Sequence, residues 1–327
     1  MRKMMVVAAG GLLMGCQGSD PVGLETPAEE EALDVRVTDE DVGGLEADQF
    51  ALEGAERVIQ PGEDIMFCVY GTYEGPTVGL HDVHTYQGKF GHHFQLMGTT
   101  TPLLDVADGT VIDCTDGGGY AMADIEPLGL ANRATVDGHE SDLSLALPDG
   151  MAVELESGQR YILQSHYVNV GAEPIRVRDR AVMTTVPEDT VETWAAALVF
   201  TRGDFEIPPG EQGSTSFSCT PPADVNVAYL LGHMHEWGTA FSLDEVSAAD
   251  ETRLYEVPEW DPVYRDAPVL RDGLTEPLEL KADRSYRTTC SWLNDTDEAL
   301  TFPNEMCVTV AYVYPQKATI ICDGDGQ

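Results

Sequence analysis

The stretch "VNVAYLLGHMHEW", residues 225–237, alternates Val225, Val227, Tyr229 and Leu231 with other residues and carries the alternation on into His233 and His235. A period of two is the mark of a half-buried strand, on which residues two apart share a face. The spacing therefore puts two imidazoles on the apolar face. Burying a polar group without a partner costs about 2–7 kcal/mol. Something must offset that: hydrogen bonds to backbone or carboxylate, or a shared metal ion, for which imidazole is the most frequent protein ligand.

The rest of the chain reads the same way. Short alternating runs such as 161–170 and 306–314 are separated by turn signals at Pro61-Gly62, Pro148-Asp149-Gly150 and Pro208-Pro209-Gly210, and long helical periods are absent. This predicts an all-β chain built as two antiparallel, jelly-roll-like β-sandwich domains in tandem. A faint internal repeat supports the tandem. "VIQPGEDIMFC" (58–68) parallels "EIPPGEQGSTSFSC" (206–219), and "LESGQRYILQSH" (155–166) parallels "LKADRSYRTTC" (280–290). The predicted domains span 48–190 and 191–327.

The N-terminus predicts export. Arg2 and Lys3 precede a short apolar run, and "LLMGC" (12–16) resembles a bacterial lipobox, so 1–16 reads as a signal segment with Cys16 as the lipidated residue. Residues 17–47, rich in acidic residues with little apolar periodicity, read as a flexible tether. The expected place is a bacterial membrane surface facing the periplasm or the exterior, held only by the lipid. With 57 acidic against 18 basic residues the formal charge is −39, which argues against a nucleic-acid partner. The six remaining cysteines, at 68, 114, 219, 290, 307 and 322, are even in number and include no CxxC spacing. In an oxidising compartment that reads as three disulfides, and the cysteine positions alone do not choose among the pairings.

Five of the eight histidines fall in three strand-like segments: "KFGHHFQLM", "RYILQSHYVN" and "LLGHMHEW". His166 shares a face with Ile162, Gln164 and Val168. Neighbours on a regular strand point to opposite faces, so His92 and His93 can reach one ion only through a bulge or through the nearer ring nitrogen. His81 and His84 read as surface residues, His139 as a loop residue, and Trp237, Tyr312 and Tyr314 as packing.

In this order the segments resemble the copper type II, ascorbate-dependent monooxygenases, the family of peptidylglycine α-hydroxylating monooxygenase and dopamine β-monooxygenase. The resemblance runs from about residue 55 to 322. It implies one copper on His92, His93 and His166, within "LQSHY", and a second on His233, His235 and Met306, within "NEMC". It also implies the bridges Cys68–Cys114, Cys219–Cys322 and Cys290–Cys307. Leu231 stands where the amidating enzyme has an Arg that helps hold the peptide carboxylate, so peptide amidation is not expected. Hydroxylation of a small organic substrate by dioxygen is, with ascorbate or another one-electron reductant. The rival readings are an exported copper-binding protein for storage, delivery or electron transfer, and a zinc hydrolase. The latter is disfavoured because a thioether is a poor zinc ligand and only Glu236 lies beside the histidine pair as a base.

Overall fold

The computed structural model describes residues 32–99, 106–115, 125–128, 139–140, 145–247, 250–265, 267–302 and 304–324; the expected signal segment and Cys16 lie outside them. The opening stretch is a strand, Val225–His233, antiparallel to Val308–Tyr314. Its alternation is broken once. The register slips between Val227 and Tyr229, so Ala228 is an extra residue and the face changes. Val225 and Val227 enter one core with Leu230 and Met234, whereas Ala228, Tyr229 and Leu231 pack into another. By alternation His233 shares the face of Tyr229 and Leu231, not that of Val225. Gly273 lies against the bulge, its N–H donating to the Ala228 carbonyl at 2.8 Å; a Cβ there would come within 2.1 Å of the Val227 oxygen.

The fold is all-β, with several antiparallel sheets packed as sandwiches. A five-stranded sheet carries Asp64–Thr72, Arg160–Val168 and Gly91–Thr99 side by side. A four-stranded sheet carries Gln212–Cys219, Ser285–Leu293, Gly238–Val246 and Glu251–Val257. Both face a twelve-stranded sheet to which each half of the chain contributes, joined where Met151–Leu155 runs parallel to Thr193–Thr201. One core, with Phe217, Phe241, Tyr286 and Trp292, fills the C-terminal half. Another, with Leu80, Phe94, Leu96 and Leu163, extends across the junction to Leu231 and Tyr312.

The internal repeat is built into the backbone. Gly62 and Gly210 both take positive φ, +77° and +72°, and the turns around them close with Glu63 N–H to Gln60 O and Glu211 N–H to Pro208 O. Each turn is then clamped by a fully buried Asn. Asn169 donates Nδ2 to Ile59 O and Glu173 O, and Asn294 donates Nδ2 to Ile207 O and Glu298 O. Both follow the tyrosines of the sequence repeat, Tyr161 and Tyr286, by eight residues.

The described part of the expected tether is not free of the fold. Leu33–Asp34 pairs in parallel with Ile175–Arg176, and Val37 is only 3% exposed. Leu33, Val35 and Val37 carry strand periodicity, too short a run among acidic residues to stand out. His139, expected in a loop, lies on a two-residue strand paired with Gln87. The structure holds the bridges Cys68–Cys114, Cys219–Cys322 and Cys290–Cys307. Three bridges in one chain belong to an oxidising compartment outside the cytosol.

Candidate metal centres

His166 lies directly opposite His93 on adjacent antiparallel strands, and the next pair is Tyr167 with Gly91. The skipped residue is His92. The required bulge is therefore present, and it turns neighbouring imidazoles toward a common point. Ring nitrogens of His92, His93 and His166 lie within 4.8 Å of one another, with His166 at ring-centroid distances of 4.6 Å from His92 and 4.9 Å from His93. Gly91 admits the turn into the bulge: a Cβ there would meet the Gln87 side chain at 2.7 Å, and Phe90 before it already takes φ +68°.

Outer partners orient two of these rings. His166 Nε2 lies 2.7 Å from Asp64 Oδ1, and His93 Nε2 lies 3.1 Å from Gln164 Oε1. Both acceptors commit Nε2 as the protonated nitrogen and assign ligation to Nδ1. The His166 Nδ1 is buried and has no hydrogen-bond partner among the described residues. Burial, and then the nearby His93, lower the His166 pKa to about 3 against the pull of Asp64, so its contact with Asp64 is a hydrogen bond from a neutral ring rather than an ion pair. Three converging imidazoles with an orphaned buried nitrogen fit a transition metal such as copper or zinc.

Behind His166 lies a fully buried carboxylate. Asp179 accepts from Ser165 Oγ at 2.6 Å, from Gln87 Nε2 at 3.2 Å and from Tyr167 Oη, and Tyr167 Oη in turn accepts from Gly88 N–H at 3.0 Å. It thus ties both neighbours of His166 to the turn that enters the His92–His93 strand. Burial raises the Asp179 pKa to about 6 despite these donors.

His233 ends its strand opposite Val308, and its ring lies 5.2 Å from that of His235. Met234 between them is buried in the C-terminal core, while the two imidazoles are half-buried rather than enclosed. The segment before Val308 folds onto the His235 segment. His235 Nδ1 lies 2.9 Å from Asn304 O, so ligation falls to Nε2. Glu305, fully buried, accepts from the backbone N–H groups of His235, Trp237 and Met306 and from Trp292 Nε1. Met306 is half-buried against Ala197, Val199 and Val308, next to the bridged Cys307. Carboxylate oxygens of Glu305 and Glu236 come within 4.8 Å of a His235 nitrogen. Glu305 is occupied by its four donors, and Glu236 pairs with Arg265.

Arg265 touches both clusters. From the short turn Pro262–Arg265 its Nη2 reaches His92 Nδ1 at 2.9 Å, while Nη1 donates to Glu236. Leu231 is buried in the junction core. Trp237 packs on the C-terminal core with Nε1 on Asp295, and His81 Nδ1 lies 3.3 Å from Met151 O. Asp64, Gln164, Glu305 and Arg265 do not stand out in the sequence as site residues. Gln164 and Glu305 nonetheless carry a signal, since they stand inside "LQSHY" and "NEMC".

No protein-family model and no curated protein matches the chain. Among solved structures, 81% of the chain is similar to 75% of a protein from Eubacterium rectale provisionally described as secreted, at 11% identity and a TM-score of 0.22. A structure of infectious bursal disease virus, Gx strain, is similar over 81% of this chain and 72% of that one, at 8% identity and a TM-score of 0.19. At these values neither likeness bears on function.

Proposed function

We propose that the protein is an exported copper-dependent monooxygenase with two centres, His92–His93–His166 and His233–His235–Met306. It hydroxylates a C–H bond of a small organic substrate: substrate, dioxygen, two electrons and two protons give the hydroxylated product and water, with ascorbate or another one-electron donor as reductant. The observation that carries the reading is the bulge at His92, which brings three imidazoles from two strands around one point. A bulge re-aims a side chain, and here it brings one imidazole onto two others. Copper, when bound, supplies one-electron chemistry and the activation of dioxygen.

The chain's own part is orientation. Asp64 and Gln164 hold the rings of His166 and His93 in place, Glu305 fixes the His235 and Met306 backbones against each other, and the Met306 thioether offers the soft donor that favours the reduced metal. A lipid anchor at Cys16 would hold the enzyme at the membrane.

Copper reconstitution followed by elemental analysis tests the centres, and reductant-dependent oxygen uptake across amines, peptides and small amides tests the turnover. Two coppers per chain are expected, one of them lost in His166→Ala, with uptake abolished in Met306→Leu. Stoichiometric zinc after copper exposure would overturn the reading. Copper binding without turnover would favour a carrier.

A further inference from the structure

The turn bearing Arg265 is rigidly made: Asp261 Oδ1 accepts from Val263 N–H at 2.9 Å, and Asp261 O accepts from Tyr264 N–H at 2.8 Å. At one end of this segment Trp260 donates Nε1 to His235 O at 2.9 Å. At the other, the Arg265 guanidinium, only 15% exposed, lies between His92 and Glu236. One segment of six residues therefore contacts a proposed ligand of each centre.

The contact at His92 competes with a metal. Nη2 is 2.9 Å from Nδ1 and 3.3 Å from Nε2, too near both to lie along either in-plane lone pair, so the guanidinium rests over the imidazole between its two nitrogens. A guanidinium held there repels a second cation on the same ring, so the contact and a bound metal oppose each other. Glu236 gives the guanidinium a second partner to remain on when His92 is taken.

We propose that Arg265 is an interlock between the two histidine centres: it holds His92 in the metal-free state, and metal capture by His92, His93 and His166 displaces it together with the 260–265 segment that grips His235. The proposal rests on reading those three histidines as a metal centre. Because the segment touches both centres, filling one changes the affinity of the other, and linkage makes the effect reciprocal.

The test is an anaerobic titration of the full chain with Cu(I) against a chromophoric competitor. The binding step that vanishes in His166→Ala should be about ten- to a hundredfold tighter in Arg265→Met, because a cation no longer stands against the His92 ring. Arg265→Lys, which keeps the charge, should gain less. In the wild type, amide exchange over 260–265 should quicken when that step fills, a readout that stands even if Arg265→Met folds poorly. A wild type that shows the His166-dependent step while Arg265→Met is unchanged or weaker, or whose 260–265 exchange does not quicken, overturns the interlock alone. Absence of any His166-dependent step in the wild type overturns the metal reading and the interlock with it.

Discussion

His166 Nε2 and Asp64 Oδ1 lie 2.7 Å apart, joining a buried imidazole to a carboxylate at the start of the neighbouring strand. Such an outer carboxylate sets which nitrogen carries the proton and raises the basicity of the other, and removing one commonly lowers metal affinity about 10–100-fold. Asp64→Ala should weaken the three-histidine centre by that order. Asp64→Asn, whose amide oxygen still accepts, should weaken it less. With its side chain 64% exposed, Asp64 can be removed with little change in melting temperature, so competitive metal titration beside thermal unfolding separates affinity from stability.

Glu305 would play a similar part at the proposed second centre, from inside the protein. Its carboxylate is fully buried and takes donors from His235, Trp237, Met306 and Trp292. Glu305→Ala would leave buried N–H groups unsatisfied, at a cost of about 3 kcal/mol or more. The expected result is a lowered denaturation midpoint together with loss of the histidine–methionine centre, while the His166 centre still loads in the fraction that stays folded. Metal content measured on refolded, monodisperse protein checks this.

The all-β fold was legible from local period, whereas the grouping of His166 with His92 and His93 came only from the resemblance, because the two strands that carry them are far apart in the sequence. The three disulfide pairings implied by the resemblance are the ones the structure holds. What was hidden is long-range or single-residue. Asp64 lies 102 residues from His166 and Arg265 173 residues from His92, and in a chain this acidic a lone Asp reads as solvated surface. The slip at Ala228 was equally invisible, since one inserted residue reverses every later side chain without altering the apparent alternation. The clamps Asn169 and Asn294 sit just beyond the matched repeats and show as equivalent only through the carbonyls they hold.

Asp179 predicts a dependence of stability on pH. Its folded pKa is about 6 because burial opposes ionisation, against an ordinary value of 3.8. A carboxyl raised on folding contributes stability that is complete below its unfolded pKa and is lost as pH rises through the folded one. The difference amounts to about 3 kcal/mol, lost between about pH 4 and pH 6. Asp179→Asn cannot titrate, so the wild-type-minus-variant difference in unfolding free energy should fall by that order across this window. Denaturant melts of both chains at pH 4 and pH 7 decide it, and a difference that does not change with pH would remove Asp179 as its source.

Cys290–Cys307 closes a loop of 17 residues that contains Glu305 and Met306. On the chain-entropy model such a loop contributes about 3 kcal/mol by restricting the unfolded state. If the bridge did only that, the double variant Cys290→Ala, Cys307→Ala would be less stable but, below its melting temperature, would bind metal as before. The proposed centre would give the bridge a second role, because Cys307 anchors the chain beside Met306, and the half-buried Met306 rests on Ala197, Val199 and Val308 rather than deep in a core. Loss of the anchor should let the thioether wander while His233, on its paired strand, stays put. The expected outcome, measured in the cold where the variant is folded, is weaker Cu(I) binding at the histidine–methionine centre and loss of its sulfur signature in X-ray absorption, with the His166 centre unchanged. Equal affinity at both centres in the folded double variant would limit the bridge to stability.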